Sequence, residues 1–108
     1  AGEALLDHVA LQQYILAACQ EPGGGLRDKP EKRRDYYHTC YCLSGLSVAQ
    51  HKTPAAPPDV HGPASNKVEP VDAVLNIVRS KALASTQYMH SLLPCSPSSS
   101  SSAAAQDR

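Results

Sequence analysis

The sequence has 108 residues, which is enough for at most one small domain. Ten basic residues balance ten acidic residues, and this zero net charge argues against a general nucleic-acid binder or a membrane-surface binder. The only aromatic residues are five tyrosines, so large side chains for a core are scarce.

The four cysteines are too sparse for a secreted disulfide scaffold, so we expect free thiols and a cytoplasmic location. No apolar run reaches the length of a membrane span, and no signal peptide is evident. The sequence begins at Ala1 rather than at Met, and its first predicted helix begins almost at once. We therefore expect a piece of a longer polypeptide.

The first predicted helix runs from Ala4 to Gln20 and contains strong helix formers throughout. Its apolar residues cover most of the circumference, which is typical of a helix that neighbours bury on more than one face. This chain contains too few helices to supply those neighbours. Pro22 and the three glycines that follow it end the helix.

The second predicted helix runs from Tyr36 to about Gln50, with Asp35 as a suitable N-cap. It is rich in small and apolar residues. Gly45 lies in its middle, where glycine costs about 1 kcal/mol relative to alanine. We therefore expect another helix to approach closely at Gly45.

Beyond the second helix, a Pro-rich stretch lacks the apolar content that would offset the entropy of ordering it. An amphipathic pattern predicts a third helix from about Val71 to Leu93, which Pro94 ends. No strand pattern is convincing, so the predicted fold class is all-α. The predicted units are a helix-loop-helix at residues 1–52, a disordered linker at 53–69, a C-terminal helix at 70–94 and a disordered low-complexity tail at 95–108.

The second helix carries His38, Cys40 and Cys42, which are residue types that bind zinc. Residues two apart on a helix point roughly 200° away from each other, so the two cysteines cannot hold one ion. Two interpretations of His38 stay open: a zinc ligand whose partners lie outside this sequence, or a core or capping histidine without a metal. Cys19, Cys40 and Cys42 are interpreted as small buried hydrophobic residues.

The turn at residues 23–30 also has two interpretations. Its glycines could bring backbone donors close to a phosphate, or they could only cap a helix and reverse the chain. Lys29, Arg33 and Arg34 could meet a diphosphate, and Asp28 could bind magnesium beside it.

Taken in order, these residues resemble the C-terminal part of the β subunits of protein farnesyltransferases, within the prenyltransferase α-α toroid family. The resemblance is specific from about Asp7 to His51, moderate from about Asp72 to Leu92, and absent from the linker and the tail. It is carried by DHVALQQYIL in the first helix, by GGL and DKP in the turn, by YHTCYCLSGLS and AQH in the second helix, and by VLNI in the third.

The resemblance implies an α-α barrel of paired helices around a funnel, of which this all-α chain would be an incomplete piece. It implies a heterodimer with a prenyltransferase α subunit. Farnesyl diphosphate is the implied donor, and a protein that ends in a CaaX motif is the implied acceptor. The implied cofactors are a zinc ion, held by an Asp, a Cys and a His, and magnesium.

For individual residues, the resemblance assigns His38 to zinc and Asp28 to magnesium and the diphosphate. Tyr37 and Asp35 are assigned to the substrate site, and Asp28, Lys29 and Tyr37 are the candidate catalytic residues. The Asp-x-Cys pair that would complete the zinc site is not in this sequence. We therefore expect the isolated chain to be inactive. The alternative is a non-catalytic helical binding module or truncated isoform that pairs with an α subunit.

Overall fold

The computed structural model describes residues 5–94, so Ala4 and the predicted tail at 95–108 lie outside the described residues. Helices are its main elements. In chain order the elements are α1 (His8–Tyr14), which continues as a π-helical turn (Ile15–Cys19), α2 (Tyr36–Gln50), a 3-10 turn (Ala64–Asn66), β1 (Val71–Asp72), β2 (Ile77–Val78) and α3 (Arg79–Leu92).

The first helix begins later than the apolar pattern predicts. Asp7 is its N-cap, and the Oδ1 atom accepts hydrogen bonds from the backbone N–H groups of Val9 at 3.1 Å and Ala10 at 2.9 Å. Because a capping carboxylate satisfies donors that have no partner within the helix, the regular helix starts at His8. After the π-helical turn, Gln20 forms an antiparallel bridge with Leu26, which closes the glycine-rich loop.

The second helix forms as the sequence predicts. Asp35 is its N-cap, and the Oδ1 atom accepts a hydrogen bond from the N–H of His38 at 2.7 Å. The small apolar core lies between this helix and the π-helical turn. Its buried members are Ile15, Cys19, Leu26 and Leu46.

Gly45 faces this core, as expected from its place in mid-helix. A Cβ atom built on Gly45 would lie 3.5 Å from Cδ1 of Ile15, which is an ordinary van der Waals distance. The expected neighbour is therefore present, and the space between the two residues would accommodate one methyl group.

The Pro-rich segment follows a defined path instead of forming a disordered linker. Two glutamines of the helices, Gln12 and Gln50, are both 0% exposed and hydrogen-bond to its backbone. The side chain of Gln12 donates to the carbonyl of Asp59 at 2.8 Å and accepts from the N–H of His61 at 3.0 Å. A buried amide that satisfies one donor and one acceptor holds the extended backbone much as a neighbouring strand would.

Residues 71–78 form a short β-hairpin, so the prediction that the third helix begins at Val71 is wrong. Val71 pairs with Val78 and Asp72 pairs with Ile77. The Oδ1 atom of Asp72 accepts from the N–H groups of Val74 and Leu75, and Asn76 has a φ of 55°. Asp and Asn stabilise turns in this way, which competes with a helix over the same residues.

Helix α3 therefore begins at Arg79, directly after the hairpin. The all-α class is confirmed, with one two-stranded sheet of two residues per strand added to it. Within residues 5–94, none of the helices has both the length and the apolar character that crossing a membrane requires.

Candidate functional site

The N-terminus of α2 places a carboxylate and an imidazole in direct contact. Asp35 binds His38 twice: Oδ1 accepts the backbone N–H of His38, and Oδ2 lies 2.7 Å from Nδ1 of the ring. An ionised carboxylate can only accept hydrogen bonds, so the proton of a neutral His38 ring lies on Nδ1. The lone pair of Nε2 is then available to a ligand.

The electrostatics of Asp35 support this arrangement. Its pKa is lowered from the ordinary value of 3.8, first by the hydrogen bond from the backbone N–H of His38 and then by the His38 ring. The carboxylate is therefore ionised at neutral pH, as an acceptor for Nδ1–H must be.

Asp28 stands opposite the free nitrogen of His38. Its Oδ1 atom lies 3.9 Å from Nε2 of His38, and the two side chains are 53% and 33% exposed. Both groups are thus open to a ligand. The loop that carries Asp28 is anchored to the helix before it, because Arg27 donates its backbone N–H to the carbonyl of Cys19 at 2.8 Å and its Nε–H to the carbonyl of Ala18 at 3.1 Å.

The remaining predicted site residues flank this pair. The ring of Tyr37 meets the ring of His38 edge-on, with centroids 5.1 Å apart, and also contacts the ring of Tyr41. Tyr37 is exposed, as is Lys29 beside Asp28. The structure thus brings together Asp28, Asp35, Tyr37 and His38, while the side chain of Lys29 makes no ion pair among residues 5–94. The catalytic and binding roles of these residues stay predictions.

The donor set fits a metal ion only in part. His38 offers one nitrogen, Nε2, with a free lone pair, and the Asp28 carboxylate lies close to it. Within the part of the chain that the structure describes, no group of three or more His, Cys, Asp or Glu side chains could hold a metal ion. A catalytic zinc takes three protein ligands, so the residues fit as a contribution to such a site and not as the whole of it.

The cysteines of α2 point to different partners, as the helix geometry predicts. Cys42 donates its S–H to the carbonyl of Arg27 at 3.9 Å, and burial together with the neighbouring Cys19 raises the pKa of Cys42 to about 11. The thiol of Cys40 accepts from the side-chain amide of Asn76 at 3.5 Å. Cys19 is buried, Cys42 is half-buried and Cys40 is exposed, so the prediction that all three are buried is confirmed for Cys19 and wrong for Cys40.

The glycine-rich turn reverses the chain, and its carbonyls face Arg34. Nη1 of Arg34 donates to the carbonyls of Gly23 and Gly24, and the N–H of Gly24 donates to the carbonyl of Glu21. Gly24 has a φ of 86°, which glycine adopts readily. The turn therefore presents two carbonyls to Nη1 of its own arginine.

Sequence reasoning did not single out Thr39, which organises this region. Its hydroxyl accepts the N–H of Leu26 at 2.9 Å and donates to the carbonyl of Leu26 at 3.2 Å. A threonine in the first turn of a helix carries no such signal by itself. Only the position of Leu26 in space reveals the contact.

Comparison with known proteins gives a consistent result. The model of the prenyltransferase alpha-alpha toroid domain matches residues 1–77. Relatives named protein farnesyltransferase subunit beta include that of Pisum sativum, 55% identical over 83 residues, which are 71% of this chain and 20% of the relative. That of Arabidopsis thaliana is 51% identical over 82 residues, 70% of this chain and 17% of the relative. The chain thus spans about a fifth of the length of these curated relatives.

Proposed function

The chain belongs to the prenyltransferase alpha-alpha toroid family, and on that premise we propose that it is part of the catalytic β subunit of a protein farnesyltransferase. The names of its relatives support the donor and the reaction class. The observation that carries the proposal is the Asp35–His38 pair, which leaves Nε2 of His38 free beside the carboxylate of Asp28.

The proposed reaction transfers a farnesyl group from farnesyl diphosphate to the cysteine of a C-terminal CaaX motif. The cysteine sulfur forms a bond to C1 of the farnesyl chain, and the bond from C1 to the diphosphate oxygen breaks. When bound, zinc lowers the pKa of the cysteine thiol so that a thiolate is present at neutral pH.

The residues of this chain have separate tasks in that reaction. His38 supplies one zinc-binding nitrogen, and Asp35 holds its ring in the orientation and the protonation state that binding requires. Asp28 would hold magnesium near the diphosphate, and Lys29 would add positive charge there. Tyr37, exposed beside His38, lines the path of the CaaX peptide.

The proposal extends to the surroundings of the site. We infer a heterodimer with a prenyltransferase α subunit, in the cytoplasm. The remaining zinc ligands, an Asp and a Cys, come from other parts of the β subunit, which is consistent with the incomplete donor set of residues 5–94.

Replacement of His38 tests the proposal. In a complete β subunit co-produced with its α subunit, we expect His38→Ala to lower zinc content and farnesyl transfer to a CaaX peptide. The expected loss of turnover is about 100-fold or more. Replacement of a residue that only hydrogen-bonds to a metal ligand already lowers metal affinity or activity about 10–100-fold, and His38 would be a ligand itself.

The matched control is His90→Ala, which removes an exposed imidazole from the last turn of α3. It should leave both measurements unchanged. Full zinc content and normal turnover in the His38→Ala protein would rule out the proposed role of this site.

A further inference from the structure

We propose that Thr39 is a positioning residue: its hydroxyl ties Leu26 to helix α2 and thereby holds Asp28 opposite His38. The inference rests on the proposed function, because it concerns how two residues of that site keep their mutual distance. Thr39 would touch neither the substrate nor a metal ion. It would act through the backbone of the loop that carries Asp28.

The contact is a two-way hydrogen bond to a single buried residue. The Thr39 hydroxyl accepts from the N–H of Leu26 at 2.9 Å and donates to its carbonyl at 3.2 Å. The same carbonyl accepts the backbone N–H of Asp35 at 3.3 Å. Leu26 is 7% exposed, so water has little access to replace these partners.

This contact lies close in the chain to both residues of the site. Thr39 follows His38 directly, and Leu26 lies two residues before Asp28. Residues 35, 38 and 39 share the first turn of α2 and one face of it. The hydroxyl therefore connects the helical turn that carries His38 to the loop that carries Asp28.

The other side-chain contacts that the helices and the π-helical turn make to the loop are longer. The thiol of Cys42 lies 3.9 Å from the carbonyl of Arg27, and the thiol of Cys19 lies 3.8 Å from the carbonyl of Asp28. The hydroxyl of Tyr14 lies 3.4 Å from that same carbonyl. Thiols are weak donors, so the Thr39 hydroxyl is the strongest side-chain link between α2 and this loop among the described residues.

Substitutions at position 39 separate the hydroxyl from the shape of the side chain. Thr39→Val keeps the shape and removes the hydroxyl, whereas Thr39→Ser keeps the hydroxyl. In the complete αβ enzyme we expect Thr39→Val to lower kcat about tenfold, since misplacement of a reacting group by about 1 Å can cost 100-fold. Thr39→Ser should restore kcat to near the wild-type value, and zinc content should stay unchanged in both proteins.

Thr86→Val is the matched control. The Thr86 hydroxyl also donates to a backbone carbonyl, that of Ala82 at 2.9 Å, but Thr86 lies on α3. It should leave kcat unchanged. A similar loss in Thr86→Val and Thr39→Val would assign the effect to general destabilisation and would overturn the inference.

A double-mutant cycle with Asp28→Asn gives the decisive measurement. If Thr39 acts by placing the Asp28 carboxylate, the tenfold effect of Thr39→Val should shrink toward unity once that carboxylate is gone. Independent, multiplicative effects of the two substitutions would overturn the inference.

Hydrogen exchange separates this inference from the proposed function. Exchange of the Leu26 amide should accelerate in Thr39→Val and stay protected in Thr39→Ser, whatever reaction the protein catalyses. If the wild-type enzyme transfers no farnesyl group, both the proposed function and the inference that rests on it are overturned. Normal turnover in Thr39→Val would overturn the inference alone.

Discussion

Asp35 combines two tasks that usually fall to different residues. One oxygen caps α2 through the N–H of His38, and the other binds Nδ1 of the same residue. The start of the helix and the orientation of the imidazole are therefore set by one carboxylate. Because the two tasks use different oxygens, they can be separated by substitution.

Asp35→Asn should impair the site more than the helix. The amide oxygen can still accept the N–H of His38, but the amide nitrogen cannot accept Nδ1–H. We expect zinc to bind about 10–100-fold more weakly in the complete enzyme, as measured by competition with a chelator. The thermal transition should hardly change. Unaltered zinc affinity would show that Asp35 serves only as a cap.

A second carboxylate, Asp59, illustrates a contact at the surface. Its Oδ2 atom lies 2.6 Å from Nζ of Lys52, and this hydrogen bond and charge lower the pKa of Asp59 below 3.8. A lowered folded-state pKa means that the pair stabilises the fold above pH 3.8 and that this contribution is lost as the pH falls through the folded-state value.

We expect Lys52→Met to return the pKa of Asp59 toward 3.8, as followed by an NMR titration of its carboxyl group. High salt should have a similar but weaker effect, because both groups are exposed and salt screens the interaction. A pKa of Asp59 that does not respond to Lys52→Met would contradict the assigned cause.

At the scale of elements, side chains of the helices make the hydrogen bonds to the connecting segments that a neighbouring strand would otherwise make. Gln12 of α1 hydrogen-bonds to the backbone of the Pro-rich segment. Gln50 of α2 hydrogen-bonds to the backbone of Asn66 and Val68, which precede the hairpin. Ser47 donates to the carbonyl of Glu69 and accepts the N–H of Val71. These polar residues occupy core positions because the extended backbone beside them needs partners.

Gln12→Leu should therefore destabilise the fold although it makes the core more apolar. It leaves the carbonyl of Asp59 and the N–H of His61 without their partner, at a cost of about 1–3 kcal/mol for an unsatisfied buried group. Urea unfolding of the complete αβ enzyme would measure this loss. The neighbouring Gln13→Leu is the control, because Gln13 is exposed and its replacement should have little effect. Equal effects of the two substitutions would argue against the role of the buried amide.

At the scale of the whole molecule, the described residues bury little apolar surface. The apolar pattern of the first helix predicts burial on more than one face, yet Leu6, Val9 and Tyr14 are exposed. On α3 the exposed large hydrophobic residues are Leu83, Tyr88, Met89 and Leu92. Ala82 is the buried residue of that helix. A core of this size gives little stability by itself.

We expect the isolated 108-residue chain to bind zinc weakly and to transfer no farnesyl group. Its thermal unfolding, followed by circular dichroism, should be broad rather than cooperative. The complete αβ enzyme, assayed in parallel, is the positive control. Turnover by the isolated chain would contradict both the incomplete donor set and the proposed source of the other ligands.

The sequence by itself determined the features that depend on near neighbours. The capping of α2 by Asp35, the bounds of that helix and the shared face of positions 35 and 38 follow from residues within one helical turn of each other. Such contacts form wherever the helix forms. Motif similarity then supplied the proposed chemistry of His38 and Asp28, which residue spacing left open.

The tertiary structure alone decided where distant backbone groups find their partners. Gln12 binds Asp59 and His61, which lie 47 and 49 positions further along the chain. Thr39 binds Leu26, which lies 13 positions earlier. The hairpin at residues 71–78 replaced the start of the predicted third helix, because Asp72 and Asn76 stabilise a turn there and Ser47 accepts the N–H of Val71. An apolar pattern records which faces avoid water, but it does not record which buried donor meets which acceptor.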